Sequence, residues 1–160
     1  MISYLKGTKV EITKTTQNRL FLILDVNNIG YEMQISTRFA QKLDGSADEP
    51  IQVFTHLQIQ EDKHILYGFP SAAERDLFRQ LTAVSGIGMQ LGIALIDTLG
   101  ISDLVGAIVT SNIPALTKTP GVGKKTAERI ALELKTKLAQ WRKISGMEIA
   151  QPEAVFSPQP

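Results

Sequence analysis

Two short glycine turns carry the residue types that bind an anion. Gly86-Ile87-Gly88 and Gly121-Val122-Gly123 are each followed directly by a stretch with helical periodicity. A glycine reaches positive φ and lets the backbone approach a partner closely. A helix that begins at such a turn points its unpaired N–H groups and the positive end of its dipole outward. Both turns are therefore candidate sites for phosphate groups.

The turns belong to an internal repeat with an offset of 35 residues, the distance from Gly86 to Gly121. Leu81 then aligns with Leu116, and the small residue Gly92 aligns with Ala127. A small residue at that position allows two helices to cross closely. The repeat predicts one helix–hairpin–helix unit used twice. Two such units side by side would hold neighbouring phosphates without reading the bases.

Basic residues are concentrated around the second turn. Residues 118–143 contain eight Lys or Arg and two Asp or Glu, a local charge of +6, in a chain of net charge +1. Such a block is typical of a protein with a polyanion partner, although a solvated helix face has the same composition. The predicted backbone-binding residues are the turn glycines and four cations: Gly86, Gly88, Gly121, Gly123, Lys118, Lys124, Lys125 and Arg129.

Other glycine motifs fit this sequence poorly. A Walker A loop needs Gly-Lys followed by Ser or Thr, but Lys125 follows Gly123-Lys124. A dinucleotide fingerprint needs a third glycine three residues after the second, following a strand. Thr126 occupies that position in the second turn, and a helical stretch precedes the turn. The alternative is that both turns are ordinary helix–turn–helix connections without a ligand. Two such turns at the same offset favour phosphate binding over that alternative.

The elements that position these turns fall into two domains. Residues 1–69 are rich in Val, Ile, Leu, Thr, Tyr and Phe and are interrupted by turn residues, which predicts strands. The predicted strands are Tyr4–Ile12, Arg19–Val26, Tyr31–Ile35, Ile51–Ile59 and His64–Phe69. A short helix over Ser36–Leu43, capped by Ser36 or Thr37, fits between the third and fourth strands. This pattern predicts a small closed barrel of the OB type.

Beyond Pro70 the pattern becomes helical. The predicted helices are Ala72–Val84, Met89–Leu99, Ser102–Thr110, Ile113–Thr117 and Lys124–Arg142. We therefore expect an α+β protein with a five-stranded OB-fold barrel at 1–69 and an all-α tandem helix–hairpin–helix domain at 70–145. Residues 146–160 are rich in proline and predict a linker or tail.

Nothing in the sequence predicts catalysis, a metal or another cofactor. Helix–hairpin–helix glycosylases use a downstream Asp, but the last Asp is Asp103, before the second turn. His56 and His64 lie in predicted strands without a third metal ligand. Cys is absent, no apolar run reaches the length of a membrane span, and the start lacks a signal-peptide layout. We expect a cytoplasmic, non-enzymatic protein with no membrane association.

One acidic pair stands at a predicted hairpin tip. Glu61-Asp62 lies between the strand that ends at Ile59 and the strand that begins at His64. A solvated turn is the simpler interpretation. In a protein that holds DNA elsewhere, two carboxylates near phosphates would repel them and steer the strands.

The chain resembles the RuvA family of bacterial Holliday-junction DNA-binding proteins. The resemblance covers residues 1 to about 145 and is most specific in the strand Leu66-Tyr67-Gly68-Phe69 and in the segment that follows Pro120. The other matching stretches are Met1-Ile2, Leu5-Lys6-Gly7, Gly30-Tyr31-Glu32, Val53-Phe54-Thr55-His56, Glu61-Asp62, Glu74-Arg75-Asp76-Leu77-Phe78, Gly86-Ile87-Gly88 and Gly121-Val122-Gly123-Lys124-Lys125-Thr126-Ala127-Glu128-Arg129.

This resemblance implies a structure-selective scaffold in recombination and DNA repair. A four-fold homotetramer would hold an open four-way junction, with one tetramer or two (an octamer) on the DNA. Glu61 and Asp62 would form an acidic pin at the junction centre. The ATPase motor RuvB would drive branch migration, and the resolvase RuvC is a further partner of the full-length family.

Three features depart from the family pattern. Met89-Gln90 stands after the first hairpin, where relatives often have Lys, so that hairpin is expected to rely on its amides and helix dipole. Gln60 precedes the acidic pair, where some relatives have a basic residue. The family's C-terminal motor-binding domain is missing. Either the chain is truncated or the natural gene is short; we favour truncation and expect a chain that binds junctions without recruiting RuvB.

Two other function classes stay open at this point. A helix–hairpin–helix nuclease or glycosylase would cleave labelled junction DNA in the presence of Mg²⁺. A single-strand-binding barrel would stack bases on aromatic side chains, but aromatic residues are only 6% of this sequence.

Overall fold

The computed structural model describes residues 1–45 and 48–145. They form two compact units, Met1–Arg79 and a second that begins at Gln80. The predicted linker or tail at 146–160 lies outside the described residues. The expected truncation concerns the same part of the chain and stays a prediction.

The first unit is a closed five-stranded barrel, which confirms the predicted fold. Its strands are β1 (Tyr4–Lys14), β2 (Leu20–Val26), β3 (Ile29–Ile35), β4 (Ile51–Gln60) and β5 (Lys63–Phe69). Helix α1 (Thr37–Leu43) connects β3 to β4, and Ser36 caps it by accepting a hydrogen bond from the amide of Phe39. The order around the barrel is β1-β2-β3-β5-β4.

The long first strand closes the barrel by pairing on both sides. Residues Tyr4 to Gly7 pair with β4, and Thr8 to Lys14 pair with β2 across a bulge between Lys9 and Glu11. A bulge bends a strand and increases its twist, so one strand can serve two neighbours. A Cβ at Gly7 would collide with the carbonyl oxygen of Asp25, so the two strands require glycine there. The β3–β5 pair is parallel, and the others are antiparallel.

Alternating apolar residues of the strands form the core of the barrel, and α1 adds Phe39 and Leu43 to it. The buried side chains of this core are Leu22, Leu24, Met33, Ile35, Phe39, Leu43 and Val53. The β4–β5 hairpin contributes Val53 to this core and carries the chain to an exposed tip at Glu61 and Asp62.

Helix α2 (Ala72–Thr82) begins against the barrel. The ring of Phe78 lies 4.8 Å from that of Phe69 and 5.3 Å from that of Tyr67. These contacts explain why the first compact unit extends through Arg79, past the proline at position 70.

The second unit contains α3 (Met89–Leu99), α4 (Ile101–Val109), α5 (Ile113–Leu116) and α6 (Lys124–Ser145). Helix α4 packs against α3, α5 and α6 around fully buried Leu104 and Ile108. Across the described residues no single helix has the length and apolarity of a membrane span. Helices α3 and α4 meet the criterion only together, across a 101° bend.

All the predicted strands and helices are present, with several bounds shifted by one to three residues. Strand β3 begins at Ile29, because Asn27 and Asn28 both adopt positive φ and make a two-residue hairpin turn. Helix α4 begins at Ile101 rather than at Ser102, because Gly100, with a φ of 78°, occupies the N-cap position without a side-chain cap.

Candidate nucleic-acid interface

The first glycine turn has an ordered backbone pattern. The amide of Val84 donates to the carbonyl of Leu81, and the amide of Ile87 donates to that of Val84. Gly86 adopts a φ of 90°, which an L side chain tolerates poorly. Gly88 is then the N-cap of α3 in an extended conformation, without a side-chain cap. The first intrahelical donor is Gly92, whose amide lies 3.0 Å from the carbonyl oxygen of Gly88.

The second turn repeats these backbone hydrogen bonds and the positive φ of the first glycine. The amides of Thr119 and Val122 donate to the carbonyls of Leu116 and Thr119. Gly121 adopts a φ of 91°. Ala127 is the first intrahelical donor of α6, with its amide 2.9 Å from the carbonyl oxygen of Gly123. The 35-residue repeat seen in the sequence is therefore also a repeat of backbone conformation.

Each turn buries its middle residue and exposes its glycines. Ile87 and Val122 are both 5% exposed and anchor the turns in the core of the second unit. A Cβ built on Gly88 or Gly123 would meet no atom within 4 Å, so the space outside both helix N-termini is open. The residues before Ala127 in α6 have amides that helix geometry leaves unpaired. The arrangement offers N–H donors and a positive helix dipole to an anion.

The four predicted cations are all exposed. Lys124 and Lys125 are the first two residues of α6, so their charges lie beside the second turn. Lys118 precedes that turn and borders an open depression that also includes Asp103 and Asn112. Within the described ranges, none of these four cations pairs with a carboxylate.

Arg129 lies at the first turn, although it follows the second turn in sequence. Its Nη1 donates to the carbonyl oxygen of Ser85 at 3.3 Å, across 44 residues of sequence. Sequence reasoning assigned Arg129 to the second turn and missed Ser85. Sequence spacing gave no sign of this contact, because it depends on how α6 packs in the tertiary structure.

The structure places Glu61 and Asp62 as the two-residue turn between β4 and β5. Gln60 pairs with Lys63 immediately below them, and both acidic side chains are exposed. The predicted hairpin-tip position is therefore correct, and the role of the two carboxylates stays a prediction.

His56 is held by the barrel unit. Arg79 Nε donates to His56 Nδ1 at 3.2 Å, and the His56 ring lies edge-on to Phe78 at 5.7 Å. Burial, followed by the charges of Arg79 and Arg75, lowers the pKa of His56 below 6.5. Among the described residues, no group of three or more His, Asp or Glu is arranged to hold a metal ion.

Comparison with known proteins gives two family matches in chain order. Residues 1–68 match the RuvA N-terminal domain, and residues 78–136 match the SAM-like tandem helix–hairpin–helix domain. The two matches correspond to the barrel and to the pair of glycine turns.

Curated relatives carry both parts together. A Holliday junction branch migration complex subunit RuvA from Rippkaea orientalis is 63% identical over 157 residues, which is 98% of this chain and 75% of that protein. Proteins of the same name from Crocosphaera subtropica and Gloeothece citriformis are 57% identical over 157 residues and 62% identical over 141 residues. They are covered over 74% and 68% of their lengths. With this identity over nearly all of its residues and the same order of domains, the chain belongs to the RuvA family.

Proposed function

We propose that this protein binds Holliday junctions through the DNA backbone and acts as the non-motor subunit of a branch-migration complex. The supporting observation is the pair of equivalent turns, each with a positive-φ glycine before a helix. The first turn leads to the N-terminus of α3, which has no side-chain cap, and the second leads to α6, which begins with two lysines. Amides and lysines recognise phosphate without contacting base edges. Binding is therefore independent of sequence, and the shape of the junction determines selectivity.

Four-fold assembly fits this substrate. A four-way junction has four equivalent arms, and a closed cyclic tetramer presents one protein copy to each arm. In such an assembly the Glu61–Asp62 tips would face the junction centre, where their charges repel phosphates and help the strands separate. The resemblance to the family supports both the tetramer and the pin, and one or two tetramers would bind each junction.

The partners in this proposal follow from the names of the relatives and from the family resemblance. RuvB would supply ATP-driven movement, and RuvC would resolve the junction. The protein itself would hold the substrate and perform no chemistry. Its two exposed turns offer donors and cations, which bind a phosphodiester but do not supply the general base that hydrolysis needs.

Competition between DNA structures tests this function. Labelled four-way junction is bound in the presence of increasing unlabelled junction, linear duplex or single strand of the same sequence, at one fixed salt concentration. We expect the unlabelled junction to compete at a much lower concentration than either alternative. Equal competition by all three would contradict junction selectivity, and cleavage of the labelled junction in Mg²⁺ would indicate an enzyme.

A further inference from the structure

The first hairpin has no cation of its own. At the 35-residue offset, Met89 and Gln90 occupy the positions of Lys124 and Lys125. If both hairpins hold phosphates, as the proposed function requires, the first must obtain positive charge from elsewhere or bind much more weakly.

The structure provides a cation at that place. The guanidinium of Arg129 reaches from α6 to the first hairpin, where Nη1 lies 3.3 Å from the carbonyl oxygen of Ser85. The same atom lies 3.5 Å from the position that a Cβ on Gly86 would occupy. Arg129 is exposed, and the described residues place no carboxylate in contact with it. A guanidinium has five N–H donors, so one carbonyl leaves most of them available.

We propose that Arg129 is the phosphate-binding cation of the first hairpin. Its hydrogen bond to Ser85 fixes the guanidinium beside the turn, and its remaining donors contact the phosphate that the N-terminus of α3 attracts. A planar guanidinium suits this double role, because it can bind a carbonyl with one edge and a phosphate with another. One helix, α6, thus supplies cations to both hairpins.

The repeat itself supports the reassignment. The position equivalent to Arg129 in the first copy is Ala94, so α3 sends no cation to the second hairpin. The second hairpin already has Lys124 and Lys125 and does not need a cation from α3. The first copy instead contributes an apolar contact, with Leu91 Cδ1 3.1 Å from the position of a Cβ on Gly121. In both turns the positive-φ glycine therefore has a side chain from the other copy beside it, so the two copies contact each other at their hairpins.

A charge-relocation experiment tests the assignment. Junction affinity and its salt dependence are measured for the wild type, Arg129→Gln, Met89→Lys and the double variant. Arg129→Gln should weaken binding about tenfold or more, the loss expected for one charged hydrogen bond, and flatten the salt slope by ~0.9 for each phosphate that is no longer neutralised. Met89→Lys places an ammonium at the first hairpin by another route. It should recover most of the lost affinity in the Arg129→Gln background and add little to the wild type.

The controls separate this inference from the proposed function. Lys137→Gln removes an exposed cation from the same helix and should change affinity only slightly. The wild type and a Lys125→Gln variant report whether the protein binds junctions through its second hairpin. If Lys125→Gln weakens binding but Met89→Lys has the same effect with and without Arg129, the inference fails and the function stands. If neither lysine nor arginine variants alter junction binding, the proposed function fails as well.

Discussion

Gly86 and Gly121 lie 35 residues apart and share one backbone conformation, with φ of 90° and 91°. An L side chain at this φ costs about 1–2 kcal/mol. We predict that Gly86→Ala and Gly121→Ala each lower the free energy of unfolding by about that amount, measured by chemical denaturation. Gly121→Ala should be the more damaging, because its Cβ would lie 3.1 Å from Leu91 Cδ1.

The second glycine of each turn provides the contrast. Gly88 has a φ of −83°, and a Cβ on Gly88 or Gly123 would meet nothing within 4 Å. Gly88→Ala and Gly123→Ala should therefore cost less than about 1 kcal/mol, the usual loss at an N-cap. They should weaken junction binding, because the added methyl occupies the space that a phosphate would enter. Equal destabilisation by all four variants would contradict this division of roles.

The hairpins show which features the sequence alone can predict. Paired glycines before a helix are local signals, so both turns and both helix starts, Met89 and Lys124, follow from sequence spacing. Arg129 is different, since its contact with Ser85 depends on the packing of α6 in three dimensions. No spacing rule assigns a side chain to a carbonyl that is 44 residues away.

The domain limits illustrate the same difference. Pro70 marks the change from strand to helix periodicity, and sequence reasoning placed the domain limit there. The contacts of Phe78 with Phe69 and Tyr67 keep the first turns of α2 with the barrel in one compact unit that extends to Arg79, which the periodicity did not indicate. Similarly, Asn27 and Asn28 indicated a turn, but only their positive φ values show that Ile29 already belongs to β3.

Thr119 is a buried polar residue in the second repeat. It is 1% exposed, and its Oγ1 has no hydrogen-bond partner among the described residues, whereas the equivalent position in the first repeat is Val84, 3% exposed. An unpaired buried hydroxyl costs about 1–3 kcal/mol. We predict that Thr119→Val raises the free energy of unfolding by about 1 kcal/mol, again by denaturation.

Thr55 is the matched control for that substitution. It is fully buried, and its Oγ1 donates to the carbonyl oxygen of Ile2 at 2.6 Å. Thr55→Val should therefore destabilise the protein, because the carbonyl of Ile2 loses its donor. A loss of stability in Thr119→Val as large as that in Thr55→Val would show that the Thr119 hydroxyl is satisfied.

His56 should make stability depend on pH. Burial, then Arg79 and Arg75, lower the pKa of His56 below its unfolded value of 6.5, while Asp76 pairs with both arginines. The unfolded chain therefore binds more protons between the two pKa values, and stability falls as pH decreases through that window. The contribution of neutral His56 to the free energy of unfolding is fully present above pH 6.5, the pKa of the unfolded chain. His56→Gln should remove this step from unfolding curves recorded on both sides of pH 6.5, and a step that persists would exclude His56 as its source.

The acidic tip formed by Glu61 and Asp62 should weaken junction binding overall while it favours the open form of the junction. Two unit charges at 4 Å interact by about 1 kcal/mol in water, so removing like charges near phosphates should tighten binding several-fold. We predict this gain for Glu61→Gln/Asp62→Asn, together with less strand separation, reported by a fluorescent base analogue at the crossover. Asp48→Asn/Glu49→Gln neutralises another exposed adjacent pair in the barrel unit. An equal gain in that control would assign the effect to net charge alone.

The central claim is that the hairpins hold DNA by its phosphates, and the salt dependence of junction binding tests it most directly. The logarithm of the binding constant is plotted against the logarithm of salt concentration for the wild type, Lys124→Gln/Lys125→Gln and the control Lys135→Gln/Lys137→Gln. We predict a steep negative slope for the wild type and the control. The slope of the Lys124→Gln/Lys125→Gln variant should be shallower by ~0.9 for each phosphate that the two lysines neutralise, with weaker binding to any sequence. An unchanged slope and affinity in that variant would contradict the account.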